Sequence, residues 1–383
     1  MKECEEKSGA REALSIVHVL DTLAGYDRHR AVVELSETLS RRGHEVTILV
    51  LSPPLSDLSN RCRGATLAGP IARAPSDFSL PWKLAAAIRR LRPDIVHAHG
   101  PIAGLVASLG RAMHLWRGRL IYTNHDVYSM PAPAYTRLSY PVIVRQADWI
   151  VCIHQVAAHS LVDAYPKRLA THTVIHYGID TAAIRPSRSR SQVRCDMGLE
   201  MYQPVIVSAG ILHEQSNPIA LCQATAIVAR EVEMVQLVLA LRHENPQVLD
   251  QLNEAISEFH IDANIQFAPP NYPALDLIAA ADVFALCSHW ETIPYELLWA
   301  MALGIVPVAS AVGGIPEVIE HQRSGFLTSR EDIEEIALAL RQAIATAHRA
   351  EMQETMRTRI EEHFRSDTAA EAHEMVYRKV LNR

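Results

Sequence analysis

The sequence predicts an α/β protein made of two doubly wound parallel-sheet domains that face a central cleft. Three observations predict it. Short apolar runs of strand length alternate with helical patterns along most of the chain, and the alternation starts afresh after a polar Arg- and Ser-containing stretch around 183–193. A length of 383 residues exceeds one hydrophobic core and suits two.

Ser15-Ile-Val-His-Val-Leu20 is an apolar run of strand type. A turn at Gly25, a helical pattern from Ala31 to Ser40 and a stop at Gly43 follow, and 45–51 reads as the next strand. Strand, crossover helix and strand within about 35 residues form a βαβ unit, which implies parallel strands with helices on both faces. A proline-led helix from Pro81 to Leu91 precedes strands at 94–99, 120–124, 149–153 and 172–176. The second series places strands at 205–208, 235–240, 265–267, 283–286, 306–309 and 325–327. The expected organisation is a tail at 1–13, a first domain at 14–183, a second at 184–364 and a final helix at 365–383 that returns to the first domain. Open parallel sheets bind ligands beyond the carboxyl ends of their strands, so two facing sheets make one deep cleft.

Composition narrows the function classes. The net charge of -6 and the lack of a long basic tract argue against a nucleic-acid partner, and Arg185-Pro-Ser-Arg188-Ser-Arg190 reads as a solvated linker. Cys4, Cys62, Cys152, Cys195, Cys222 and Cys287 show no metal-ligand spacing, which points to no metal centre and to a reduced cytoplasmic setting. The charged opening, Met1 to Glu12, lacks the apolar core of a signal peptide, and no apolar run is long enough to span a bilayer. Attachment to a membrane face stays open.

The segment Ser288-His-Trp-Glu291-Thr-Ile-Pro-Tyr-Glu296-Leu-Leu-Trp299, continued by Gly304, Gly313-Gly314-Ile-Pro-Glu317 and Ser324-Gly-Phe-Leu327, resembles the signature of the retaining family-four (group 1) glycosyltransferases of GT-B fold. Four runs in the first half resemble that family's landmarks in the correct order: Asp94-Ile-Val-His97-Ala-His99-Gly100, Tyr122-Thr-Asn-His125-Asp126, Ala147-Asp148-Trp-Ile-Val and Ile175-His-Tyr-Gly178-Ile-Asp180.

The resemblance implies two Rossmann-like domains. It also implies transfer of a sugar, with retention, from a UDP- or GDP-linked donor to a hydroxyl of a sugar, lipid-linked or small-molecule acceptor. No cofactor or metal would be tightly bound. The work would be polysaccharide, glycolipid or glycoside assembly in the cytoplasm or at the inner membrane face, alone or beside a partner glycosyltransferase. By the same resemblance Glu291 and His125 are the catalytic candidates. Gly25, His97, His99, Thr292, Ile293, Pro294, Glu296, Gly313 and Gly314 are candidates for contact with substrate. The glycine pair would bring backbone N–H groups to an anion at a helix N-terminus.

Three departures fall on donor-binding positions. The second glutamate of the acidic pair is Trp299; Glu296, three residues earlier on a neighbouring face of the same helix, is a candidate substitute that points in another direction. The Arg and Lys that would hold the diphosphate are Ile211 and Ser216, and each charged hydrogen bond lost forfeits about 1.5–3 kcal/mol. A Gly-x-Gly turn near the base is replaced by Leu241-Arg242. His213 and Arg242 are the candidate replacement cations, and Trp299 is a candidate stacking surface. The sequence therefore supports an active transferase and, as an alternative, a catalytically degenerate relative acting as a binding or assembly partner.

Overall fold

The computed structural model describes residues 13–23, 27–53, 62, 64–125, 134–212, 214–232, 234–243, 246–269, 272–346 and 349–383. The first half runs β1 (Ser15–Leu20), α1 (Asp27–Arg41), β2 (Glu45–Val50), β3 (Thr66–Ala68), α2 (Leu80–Leu91), β4 (Ile95–His99) and α3 (Pro101–Ala112). It continues with β5 (Arg119–Asn124), α4 (Ala134–Gln146), β6 (Trp149–Cys152), α5 (Gln155–Ala164) and β7 (His172–Val174). These strands form one sheet in the order β3-β2-β1-β4-β5-β6-β7, parallel throughout.

The second half runs α6 (Arg190–Asp196), β8 (Val205–Leu212), α7 (Pro218–Ala229), β9 (Gln236–His243), α8 (Pro246–Glu258), β10 (Ile265–Phe267), α9 (Ala274–Ala280) and β11 (Val283–Leu286). It ends with α10 (Tyr295–Leu303), β12 (Val306–Ser310), α11 (Ile315–Val318), β13 (Phe326–Thr328), α12 (Ile333–Ala345), α13 (Arg349–His363) and α14 (Ser366–Leu381). Its sheet is also parallel, in the order β10-β9-β8-β11-β12-β13. In each sheet the first strand lies in the interior and the winding reverses beside it, at β1/β4 and at β8/β11. Ligand crevices open at such switch points.

Both faces of a parallel sheet are covered, so its strands read as continuous apolar runs. One face of the first sheet packs Val17, Val19, Val96 and Ala98 against Leu84 and Ile88 of α2 and Val106 of α3. The other packs Ile16, Leu20 and Ile121 against Val32 and Leu39 of α1 and Val376 and Tyr377 of α14. Thus α14 lies on the first sheet although it follows the second. Arg42 Nε donates to Glu374 at 2.5 Å, and Lys379 lies 4.5 Å from the Trp149 ring. The returning chain crosses Gly178, where a β-carbon would overlap the Arg365 carbonyl, and Ser366 N donates to Ile179 O at 3.0 Å.

Two local readings are corrected. β3 has no counterpart among the predicted strands, because this partly exposed edge strand, Thr66-Leu-Ala68, carries a single large apolar residue. The Arg-rich stretch is more than a solvated linker. Ser189 caps α6 with a full capping box, Arg190 donates to Asp282 at 2.7 Å, and buried Arg194 donates to the same carboxylate at 2.8 Å. Cys62, Cys152, Cys195, Cys222 and Cys287 are unbridged, and among the described residues no helix is long and apolar enough to cross a membrane.

Candidate functional site

The candidate site forms where α1 of the first half meets the loop between β11 and α10 of the second. Glu291 stands in that loop. Its carboxylate accepts hydrogen bonds from Thr292 N at 3.2 Å and Ser288 Oγ at 3.3 Å. Burial nevertheless pushes its pKa up to about 7, and repulsion from Glu296 adds to the shift. A carboxyl group so placed changes charge near neutrality.

The glycine pair fixes this loop. Gly313 has a φ of +54°, and a β-carbon there would overlap the Glu291 carbonyl oxygen. At Gly314 a β-carbon would stand 2.6 Å from Ile293 Cγ1 and 2.7 Å from Thr292 O, and the Gly314 N–H donates to that same Thr292 oxygen at 3.0 Å. The two turns lock each other. Ile293 is fully buried in the second-domain core, and Pro294 caps α10.

From the first half, α1 reaches across. Asp27, at its start, lies beside the Tyr295 backbone, whose N–H is the smallest influence on its carboxyl. Burial, then repulsion from Glu296 and Glu291, holds the Asp27 carboxyl well above its ordinary range. Arg30 lies with its guanidinium carbon 4.8 Å from the Trp299 ring centroid. Tyr295 donates its hydroxyl proton to Gly178 O at 3.2 Å. Behind these contacts opens a groove lined by Arg30, Glu34, Asp180, Pro273, Tyr295 and Trp299. Glu34, which accepts from Asp180 N, is raised to about 7 by burial.

A second contact joins the halves through Glu317. Its carboxylate accepts from Gln155 N at 2.7 Å and pairs with His176 Nε2 at 2.7 Å, while the His154 β-carbon lies 3.1 Å from where a Gly314 β-carbon would stand.

The histidines form a separate, buried assembly. His18 pairs with His97 across β1 and β4, and Leu20 pairs with His99, so His18, His97 and His99 share the face covered by α1 and α14. His18 Nδ1 and His99 Nε2 share a hydrogen bond of 2.8 Å, and His99 Nδ1 and His125 Nε2 one of 3.2 Å. His125 Nδ1 meets the Tyr177 hydroxyl at 2.6 Å. His97 is held between the hydroxyls of Tyr377 and Thr123 at 2.8 and 2.6 Å. Burial is the main reason why the pKa values of His97, His99 and His125 stay well below normal, so these rings are neutral at pH 7. Ligand atoms of His18, His97 and His99 lie within 4.8 Å of one another, yet five of the six nitrogens are taken by the bonds above, which opposes a shared metal ion. The chain ends near the second half, since the Tyr177 ring lies 5.8 Å from that of Tyr295.

The site thus brings together Glu291, Thr292, Glu296, Trp299, Gly313 and Gly314, while His97, His99 and the 4% exposed His125 sit behind Tyr177. Gly25 and His213 lie outside the described residues; Arg242 is on β9 with its side chain likewise outside them. Asp27, Arg30, His18, Tyr177 and Tyr295 escaped sequence reasoning. Asp27 carried a signal as an acid opening a helix, and Tyr177 stands in a family landmark.

Residues 29–183 match the family model Glycosyltransferase Family 4, and residues 191–363 match Glycosyl transferases group 1. The chain belongs to this family of GT-B glycosyltransferases. The D-inositol 3-phosphate glycosyltransferase of Saccharomonospora viridis is 29% identical over 265 residues, 64% of this chain. The match spans 61% of that relative's own length, less than two thirds. The N-acetyl-alpha-D-glucosaminyl L-malate synthase of Bacillus anthracis is 24% identical over 361 residues, 91% of this chain and 92% of that protein. Among solved structures, Anabaena HepE in complex with UDP and glucose superposes with a TM-score of 0.81 at 17% identity, covering 96% of this chain and 100% of its own. A glycosyltransferase from Rickettsia africae gives 0.82 at 16% identity, over 97% of this chain and 100% of its own. At such identities the likeness establishes the GT-B fold.

Proposed function

We propose that this family member transfers a sugar, with retention, from a nucleoside diphosphate donor to a hydroxyl acceptor in the cleft between its sheets. The observation that carries the reading is Glu291, a carboxyl group set near neutrality and locked by the Gly313-Gly314 turn beside the first half. In this reading Glu291 hydrogen-bonds the donor sugar's hydroxyls. The bond from the anomeric carbon to the diphosphate breaks with its electron pair on the departing oxygen, the acceptor oxygen bonds from the same face, and its proton passes to the departing phosphate. The contact of Arg30 with Trp299 across the two halves helps to exclude water that would hydrolyse the donor. His125 supports the sugar pocket through Tyr177. The domain boundary near 183 and the cytoplasmic setting belong to the same proposal.

The complex of HepE with UDP and glucose supports uridine as the first base to test, with GDP-linked donors beside it. Relatives named for an inositol phosphate and for malate put small hydroxyl compounds first among acceptors, before saccharide and lipid-linked ones. The test is turnover with a donor and acceptor panel, reading the anomeric coupling constant of the product. A retained anomer, lost in Glu291→Gln, is expected; no transfer or donor hydrolysis with any pair overturns the proposal.

A second reading, a degenerate relative acting as a binding or assembly partner, is favoured by Arg30 and Trp299, which close the position of the missing second glutamate. Under it the wild type binds no nucleotide, and Trp299→Glu with Ile211→Arg and Ser216→Lys restores binding.

A further inference from the structure

We propose that the outward face of α2 docks this protein on an anionic lipid bilayer. The helix buries Leu80, Leu84, Ala85 and Ile88 in the first-domain core. Its solvent face is Trp82, Lys83, Ala86, Arg89 and Arg90, all exposed and spaced i, i+1, i+4, i+7, i+8 on one side. No acid interrupts that face. Phe78, just before the helix, is 94% exposed and Trp82 is 50% exposed. Met113, 45% exposed, belongs to the same region, since a β-carbon at Gly110, one turn before it, would lie 3.3 Å from the Pro81 carbonyl.

The charges complement an anionic surface. Lys83 is paired with Asp77 at 2.7 Å, but Arg73, Arg89, Arg90 and Arg92 are exposed and have no acidic partner among the described residues. This basic strip stands on a chain of net charge -6. Aromatic rings at the level of the headgroups beside unpaired cations are the combination that holds a protein at a bilayer interface. A folded protein partner fits less well. A stable interface buries at least about 1,000 Å² with a packed centre, whereas three separated apolar side chains, Phe78, Trp82 and Met113, offer much less. A soft, planar, negatively charged surface needs neither pocket nor register.

The surface lies outside the cleft, so its test is independent of transferase activity. The full chain is sedimented with vesicles of phosphatidylcholine alone and of phosphatidylcholine with phosphatidylglycerol. Binding to the anionic vesicles only, weakened by salt, is expected. Arg89→Gln with Arg90→Gln should reduce partitioning on the order of 25-fold, about fivefold per arginine. Phe78→Ser with Trp82→Ser should reduce it similarly, while the fold survives, as a cooperative thermal melt checks, because Phe78 is exposed and Trp82 half-exposed. Absence of binding to the anionic vesicles, or unchanged partitioning in either double variant, overturns the proposal. So does a molecular mass, measured without vesicles, that falls to the monomer only in Phe78→Ser with Trp82→Ser, since the face would then join copies of the chain.

Discussion

Arg30 on α1 and Trp299 on α10 meet at 4.8 Å, a cation–π contact between the two halves at the position where the family resemblance expects a ribose-binding glutamate. The contact explains how the chain accommodates a tryptophan there: the indole covers the seam, and a first-domain cation holds it.

The first prediction follows from that contact. Trp299→Ala should lower the free energy of unfolding by about 1–2 kcal/mol through loss of the cation–π contact and of buried indole area. Trp299→Glu replaces the contact with an ion pair to Arg30 and should raise nucleotide affinity. Thermal melts and nucleotide titrations of the two variants check this; equal affinity in Trp299→Glu and Trp299→Ala would remove the ribose position from the account.

Glu291 supplies the second. Its pKa of about 7 should place a limb near pH 7 in the profile of kcat/KM, and Glu291→Gln should abolish that limb with at least a 100-fold fall, roughly the lower bound for a group acting on protons or developing charge. The stability sign is set by the raised value. The unfolded carboxyl titrates near its ordinary 4.5, so its contribution is fully present below that pH and is lost as pH rises through about 7. Equilibrium unfolding of Glu291→Gln should therefore lack this decline between pH 4.5 and 7.

The glycine pair gives the third. Gly313→Ala must adopt a positive φ and move the Glu291 carbonyl, so a loss of about 2–4 kcal/mol and displacement of Glu291 are expected. Denaturant unfolding measures the first and the pH profile the second. A variant as stable as the wild type would show that the 291–293 loop yields freely.

The histidine chain gives the fourth. Each ring in the run from His18 to Tyr177 gives one proton to one neighbour, so all three histidines must share one tautomer sense. His18 Nε2 is buried without a partner among the described residues. A bare lone pair there costs less than a bare N–H, which sets Nδ1–H on His18, His99 and His125. Nitrogen-15 ring shifts should show this common tautomer, and mixed tautomers would break the chain. Acid should also unfold the protein steeply. His18 titrates at about 3 and His373 and His154 at about 4, so the stability they provide is present above pH 6.5 and lost as pH falls through those values.

Much of this architecture is legible in the sequence, for a physical reason. Parallel strands such as 283–286 are buried on both faces and leave unbroken apolar runs, and 15–20 is interrupted only by His18 after its first residue, while Gly43 and Gly304, at φ +95° and +76°, end helices that no side chain ends as easily. Glu291, Gly313 and Gly314 were readable because their spacing is local. Asp27 with Tyr295 and Arg30 with Trp299 were not, because each pair joins residues more than 260 apart and depends on how two finished domains meet. His97 and His99 were readable as strand histidines, but their bonds to His18 and Tyr377 arise only when β1 and α14 close over them.

The measurement that tests the central claim most directly is calorimetric titration of the wild-type chain with UDP, GDP and ADP. The account predicts saturable one-to-one binding of at least one nucleotide, competed by the matching nucleotide sugar and weakened in Gly313→Ala. No heat with any of the three, under conditions in which a known family member binds, would contradict it.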